Sequence, residues 1–151
     1  MKRRLFLGSA GAVAAFAALP SPSVMPSTQV QVFKSRTCGC CGAWVAHLRS
    51  AGFAVEVAEV DNAAVERKRL GMPERFGSCH TATVAGYVLE GHVPATEVKR
   101  LLAAKPKAIG LAVPSMPVGS PGMEIGARKD PFQVVLVDLS GQASVYASYP
   151  Q

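Results

Sequence analysis

From Gln29 onward the chain switches repeatedly between two hydrophobic periods. Gln29 to Lys34 (Gln-Val-Gln-Val-Phe-Lys) alternates, which predicts a half-buried strand. In Ala43 to Ser50, Trp44, Val45 and Leu48 recur at helical spacing, and Gly52 stops the predicted helix. Phe53 to Val60 returns to a period of two, with Phe53, Val55 and Val57 on one side. Asp61 or Asn62 can cap a short helix over Ala63 to Leu70, ended by Gly71 and Met72-Pro73. A strand over Thr81 to Ala85, a turn at Gly86 and a returning strand at Tyr87-Val88-Leu89 predict a hairpin. Pro94 or Thr96 starts a helix with Val98, Leu101 and Leu102 on one face, ending near Lys105-Pro106. Ala108 to Pro131 is rich in Pro and Gly and shows no period, so a long functional or disordered loop is expected there. Phe132 to Asp138, Ser140-Gly141 and Gln142 to Tyr149 predict a second hairpin.

The order is strand, helix, strand, helix, hairpin, helix. That is the thioredoxin-like α/β arrangement, here with an additional C-terminal hairpin. No internal repeat or second domain is apparent, and 151 residues suit one domain with a real core. The N-terminal stretch stands apart. Lys2, Arg3 and Arg4 precede an uncharged, Ala- and Gly-rich run from Leu5 to Leu19. Ala15 and Ala17 then offer an A-x-A cleavage pattern before the Pro/Ser-rich run Pro20 to Ser27. Residues 1–27 are therefore expected to be an export signal and short linker, with one domain over 28–151. Arg3-Arg4-Leu5-Phe6-Leu7 resembles the twin-arginine export pattern, which implies a periplasmic destination and no stable membrane insertion after cleavage. The formal charge of +6 falls to half once Lys2, Arg3 and Arg4 leave. With no long basic run interleaved with aromatics, nucleic acid is not an expected partner.

Candidate chemistry concentrates in Cys38-Gly39-Cys40-Cys41, at the junction of the first strand and first helix. A cysteine at a helix start meets unpaired backbone N–H groups and the positive dipole end, which favour the thiolate. Thiolate is both a nucleophile and a soft-metal ligand. The metal reading draws support from Cys40, which lies between Cys38 and Cys41 and could scramble an intended disulfide. It also draws support from Ser78-Cys79-His80-Thr81, which precedes the hairpin strand where thioredoxin-like enzymes carry a cis-proline. Cys79 can supply a fourth sulfur there and His80 a nitrogen. As a staple the cluster is poor, because a Cys38–Cys41 bond closes too short a loop to remove much chain entropy.

Met72-Pro73, Met116-Pro117 and Met123 fall in predicted loops rather than on core faces. Thioethers beside thiolates select Cu(I), which makes Met116 and Met123 candidate rim ligands; the alternative is that they pin the loop to the core. His47, seven residues past Cys40, lies roughly 10 Å along the helix and is expected at the surface or in packing. His92, in Glu90-Gly91-His92-Val93-Pro94, is expected to cap or hydrogen-bond near the next helix, with a ligand role as the alternative. No Ser/His/Asp order, phosphate loop or paired carboxylates support hydrolytic chemistry. A three-plus-one split of cysteines crowds a mononuclear tetrahedral zinc site. It suits a bridged thiolate cluster in which several Cu(I) ions share sulfurs, with an iron–sulfur cluster as the lesser option.

With these motifs, Gly86-Tyr87, and the run from Gly110-Leu111-Ala112-Val113-Pro114 through Pro121-Gly122-Met123-Glu124, the chain resembles a known family. These are the small exported metal-binding proteins with a C-x-C-C motif found with copper-resistance genes, called CopG-type. The resemblance covers roughly Val30 to Tyr149. It implies a thioredoxin-like fold, periplasmic copper handling and copper ligation at Cys38, Cys40, Cys41 and Cys79. Copper ions and other periplasmic copper-handling proteins are the expected partners, through sequestration, transfer or Cu(I)/Cu(II) electron exchange. The alternative function is thiol–disulfide exchange, with Cys38 as nucleophile and Cys41 as resolving partner. A structural disulfide module is third.

Overall fold

The computed structural model describes residues 28–150, so the export-signal expectation for residues 1–27 lies outside the described residues. Strand β1 (Gln29–Lys34) leads into helix α1 (Gly39–Ser50), strand β2 (Ala54–Glu59) and helix α2 (Ala63–Arg69). A 3-10 turn at Glu74–Phe76 precedes β3 (His80–Val84) and β4 (Tyr87–Glu90), followed by α3 (Ala95–Ala104). The chain ends in β5 (Ala108–Ala112), β6 (Phe132–Asp138) and β7 (Ala143–Tyr149). All seven strands form one mixed sheet in the order β2-β1-β3-β4-β5-β6-β7. The β1–β2 and β4–β5 pairs are parallel, and the other four are antiparallel.

The predicted apolar stripes become the core. Val30 and Val32 on β1 are fully buried against Trp44 and Leu48 of α1 and Val98 and Leu101 of α3. A second cluster gathers Met72, Phe76, Val88, Ala112 and Val137. Adjacent strand residues point to opposite faces, so Leu89 joins the first cluster while Val88 joins the second; Leu111 and Ala112 divide likewise. Each buried Leu or Val contributes about 1.5–3 kcal/mol of hydrophobic stabilisation. The Asn62 side chain accepts from Ala64 N–H at 2.9 Å and caps α2. Lys105 ends α3 in the left-handed conformation.

Three expectations are corrected. Helix α1 begins at Gly39, four residues earlier than its apolar stripe indicates, so Cys40 and Cys41 lie in its first turn and Cys38 is its N-cap. The first turn needs no apolar partner on the core side other than Cys41 itself, which is fully buried. Second, part of the expected loop is strand: Ala108–Ala112 forms β5, wedged between β4 and β6. Its pairing is tertiary and leaves no alternation to read. A Cβ at Gly110 would lie 1.7 Å from the Val88 carbonyl oxygen, so the glycine permits that approach. Third, Met72 does lie in a loop, between α2 and the 3-10 turn, but it is 2 % exposed and packs in the second cluster, so it is a core residue as well.

Candidate metal centre

Helix α1 presents its cysteines at its N-terminal end. Cys38 is extended (φ −77°, ψ 95°), makes no side-chain cap, and no acidic residue occupies the first turn. The open N–H groups and dipole therefore face sulfur alone. Cys79 arrives from the other side, one residue before β3, whose first residue pairs with Lys34 at the end of β1. Antiparallel pairing of β1 with β3 thus sets Cys79 beside the β1–α1 junction. The Cys40–Cys79 sulfurs lie 3.8 Å apart, Cys41–Cys79 3.6 Å and Cys38–Cys40 3.6 Å. All four sulfurs fall within 4.8 Å of one another. Cys38 and Cys41 are joined as a disulfide, while Cys40 and Cys79 are free thiols.

A buried carboxylate holds the Cys79 segment. Glu90 accepts from Ser78 N–H at 2.7 Å and Thr81 Oγ1 at 2.6 Å, straddling Cys79 and His80. Arg67 Nη1 reaches the same carboxylate at 3.0 Å and Nη2 reaches Glu74 at 2.6 Å. Burial pushes the Glu90 carboxyl above its ordinary range, against the pull of Thr81, Ser78 and Arg67. Neither Glu90 nor Arg67 is legible as a site residue from composition. The available signal is placement, since the strand period puts Glu90 on the same face as buried Val88.

Two imidazoles complete the pocket. His80 Nδ1 lies 3.3 Å and His92 Nε2 3.2 Å from the Cys79 sulfur. His92 Nδ1 lies 2.8 Å from the Pro121 carbonyl oxygen, which can only accept, so that nitrogen carries the proton and Nε2 presents its lone pair to Cys79. His80 packs against the Trp44 ring at 4.3 Å, and its Nε2 is buried without a hydrogen-bond partner. Burial, then neighbouring His92, pushes the His80 pKa down to about 3; burial also lowers that of His92. Both shifts favour the neutral ring, the form that ligates. Burial, then Cys40, pushes the Cys79 thiol up to about 12, unlike a sulfur stabilised at a helix start.

The structure thus brings together Cys38, Cys40, Cys41, Cys79 and His80, and adds His92 to them. His80 is fully buried. The two methionines are placed differently. Met123 follows Gly122, whose added Cβ would lie 2.6 Å from Trp44 N and 2.9 Å from the Cys40 carbonyl, so this loop crosses the first turn of α1. Met116 is 47 % exposed and lines a separate cavity of about 400 Å³ with Pro114, Phe132 and Val135. His47 accepts from Ala95 N–H at 3.0 Å, a packing role at the start of α3.

The fold and site define a class: a mixed α/β protein with three helices and seven strands among the described residues, in which four cysteines and two histidines gather as a set of donors that could hold a soft metal ion. Residues 76–123 match the family described as "Protein of unknown function, DUF411". Two solved structures of copper resistance protein CopG, Form 2 and Form 1, are each 45 % identical to this chain. They cover 82 % and 83 % of it and 99 % of their own chains, with TM-scores of 0.79 and 0.78. No curated protein matches. The chain belongs to the CopG family.

Proposed function

We propose that this chain is an exported copper-binding protein of copper tolerance that holds Cu(I) in the thiolates of Cys38, Cys40, Cys41 and Cys79. The carrying observation is the convergence of four sulfurs within 4.8 Å of one another. Such sulfurs can bridge several soft ions, and thiolate selects Cu(I) over hard cations. The likeness to a copper resistance protein at 45 % identity supports the choice of metal. Thiol–disulfide exchange with an external dithiol, which is itself oxidised to a disulfide and passes two electrons and two protons to the Cys38–Cys41 bond, supplies the two further thiols the cluster requires. A thioredoxin-like frame belongs to this reading, supported by the order β2-β1-β3-β4 in which β3 alone runs antiparallel to β1.

The remaining parts follow from the same reading. Residues 1–27 are the export signal and linker, the twin-arginine-like start directs the chain to the periplasm, and residues 28–151 act as one domain. No helix among the described residues is long and apolar enough to cross a membrane. Met123 serves at the mouth, from the loop that crosses α1. Met116, 47 % exposed, meets incoming copper or a copper-handling partner. Copper cycling between Cu(I) and Cu(II) is the catalytic extension of this role.

The test is Cu(I) titration of reduced residues 28–151 beside Cys40→Ser. More than one copper per chain, reduced in the variant, is expected. A second reading has its own observation, the Cys38–Cys41 disulfide next to two free thiols. It makes the chain a thiol–disulfide oxidoreductase. Absence of tight copper binding, together with insulin-reductase activity that survives Cys40→Ser, would establish that reading in place of the first.

A further inference from the structure

The cysteines and the two imidazoles occupy one end of the sheet, and the opposite end carries charge that they do not use. Strand β1 starts at this far end with Gln29 and finishes with Lys34 beside the β1–α1 junction, about 20 Å away at ~3.3 Å per residue. Helices α1 and α3 both finish at the far end, at Ser50 and Ala104. Residues 28–150 hold thirteen Lys and Arg against ten Asp and Glu. Arg100 is paired with Glu97 at 2.9 Å, and outside residues 95–107 the two signs are equal, nine of each. The surplus of three is therefore matched by Lys99, Lys105 and Lys107, all exposed, on α3 and its link to β5. Arg49, Arg75 and Asp138 also reach this end but are engaged. Arg49 donates to the Val55 carbonyl at 2.9 Å, Arg75 donates to the Gly141 carbonyl, and Asp138 accepts from Ser140 and Gln142.

Apolar surface accompanies the lysines. A cavity of about 260 Å³ opens beside Lys99, lined by Thr28, Ala51, Phe53 and Leu102, and the Lys99 ammonium lies 5.9 Å from the centre of the Phe53 ring. Leu139, 70 % exposed, follows Asp138 at the tip of the β6–β7 hairpin, and Asp138 pairs with Ala108, the neighbour of Lys107. We propose that this end of the sheet is a docking surface for an anionic lipid bilayer. The three ammonium groups meet lipid phosphates, Leu139 enters the interface, and the cysteine cluster faces away from it. Lysines near a bilayer are drawn to anionic headgroups, and a lysine beside apolar side chains suits the boundary between phosphate and acyl chain. The path of the chain favours a bilayer over an acidic protein. Thr28 lines the cavity, and the uncharged run Leu5 to Leu19 lies upstream of it, so a membrane that takes up that run tethers the domain at this end. That last point takes the export reading of residues 1–27 from the function proposed above. The charge and the apolar surface stand without it, and nothing here depends on the metal.

The test sediments metal-free residues 28–151 with vesicles of phosphatidylglycerol and phosphatidylcholine, and with vesicles of phosphatidylcholine alone. Binding to the anionic vesicles only is expected, weakening as salt is raised. Lys99→Gln, Lys105→Gln and Lys107→Gln should each weaken it about fivefold, and the triple variant about a hundredfold. Lys68→Gln, an exposed lysine on α2, should leave it unchanged. Leu139→Ser should weaken it at every salt concentration. No binding, equal binding to both vesicles, or a triple variant that binds like the parent overturns the proposal. Capture on polyglutamate-coated beads without vesicle binding also overturns it, and assigns the face to an acidic protein. Because residues 1–27 are absent from the protein tested, the outcome is separate from whether they are an export signal.

Discussion

Cys79 and His92 show how unevenly single residues reveal themselves. Cys79 was legible because cysteine is scarce in this chain and its place before the hairpin strand set it beside the first helix. The lone-pair direction of His92 was not legible. It depends on a carbonyl twenty-nine positions away, at Pro121, in a loop with no period to locate it. Gly122, next in that loop, is the clearest residue-scale test of the contact. Its φ is +85°, and an added Cβ would meet Trp44 N at 2.6 Å. Gly122→Ala must therefore either strain the backbone or lift the loop from α1, at a cost of about 1–3 kcal/mol. Urea denaturation of the metal-free protein should show the loss, and an unchanged midpoint would mean that the loop does not rest on the helix.

At the scale of elements, the stripes that were read correctly are those whose burial is dictated by their own spacing. Trp44, Val45 and Leu48 marked α1, and Val98 and Leu101 marked α3, because each helix covers one face of the sheet. What failed were features set by partners. The first turn of α1 carries clustered sulfurs instead of a stripe, and β5 owes its extension to β4 and β6 on either side. The Arg67–Glu90 link between α2 and β4 belongs to the same class, invisible until both elements are placed. Glu90 satisfies Ser78 N–H, Thr81 Oγ1 and Arg67 at once. Glu90→Ala leaves buried Thr81 and half-buried Ser78 without their acceptor and the buried guanidinium with only the exposed Glu74 as counter-ion, which should cost about 3–5 kcal/mol. Arg67→Met/Glu90→Leu should not recover that loss, because Ser78 and Thr81 remain without an acceptor. Full recovery in thermal unfolding would show that the carboxylate matters only as a counter-ion.

Across the whole molecule, the C-terminal hairpin is less of an addition than the chain order made it look. The order of elements made β6–β7 an appendage to a finished domain, whereas β5 carries the sheet into it without a break. Val134 completes the first core cluster and Val137 the second, so the hairpin closes both faces. It also anchors the far end of the loop that delivers Pro121 and Gly122 to the metal centre, because that loop runs from β5 to β6. A chain shortened to residues 28–112 would retain all four cysteines and all three histidines, yet expose β5 as an apolar sheet edge. Such a chain should be insoluble or should lack a cooperative thermal transition. If it stayed soluble, unfolded cooperatively and bound copper with the stoichiometry of residues 28–151, the hairpin and loop would be dispensable. Site and fold would then be separable, contrary to the continuity of the sheet. The expected failure would instead mean that residues beyond 112, none of them cysteine or histidine, are needed for the fold that brings the cysteines and His80 and His92 together.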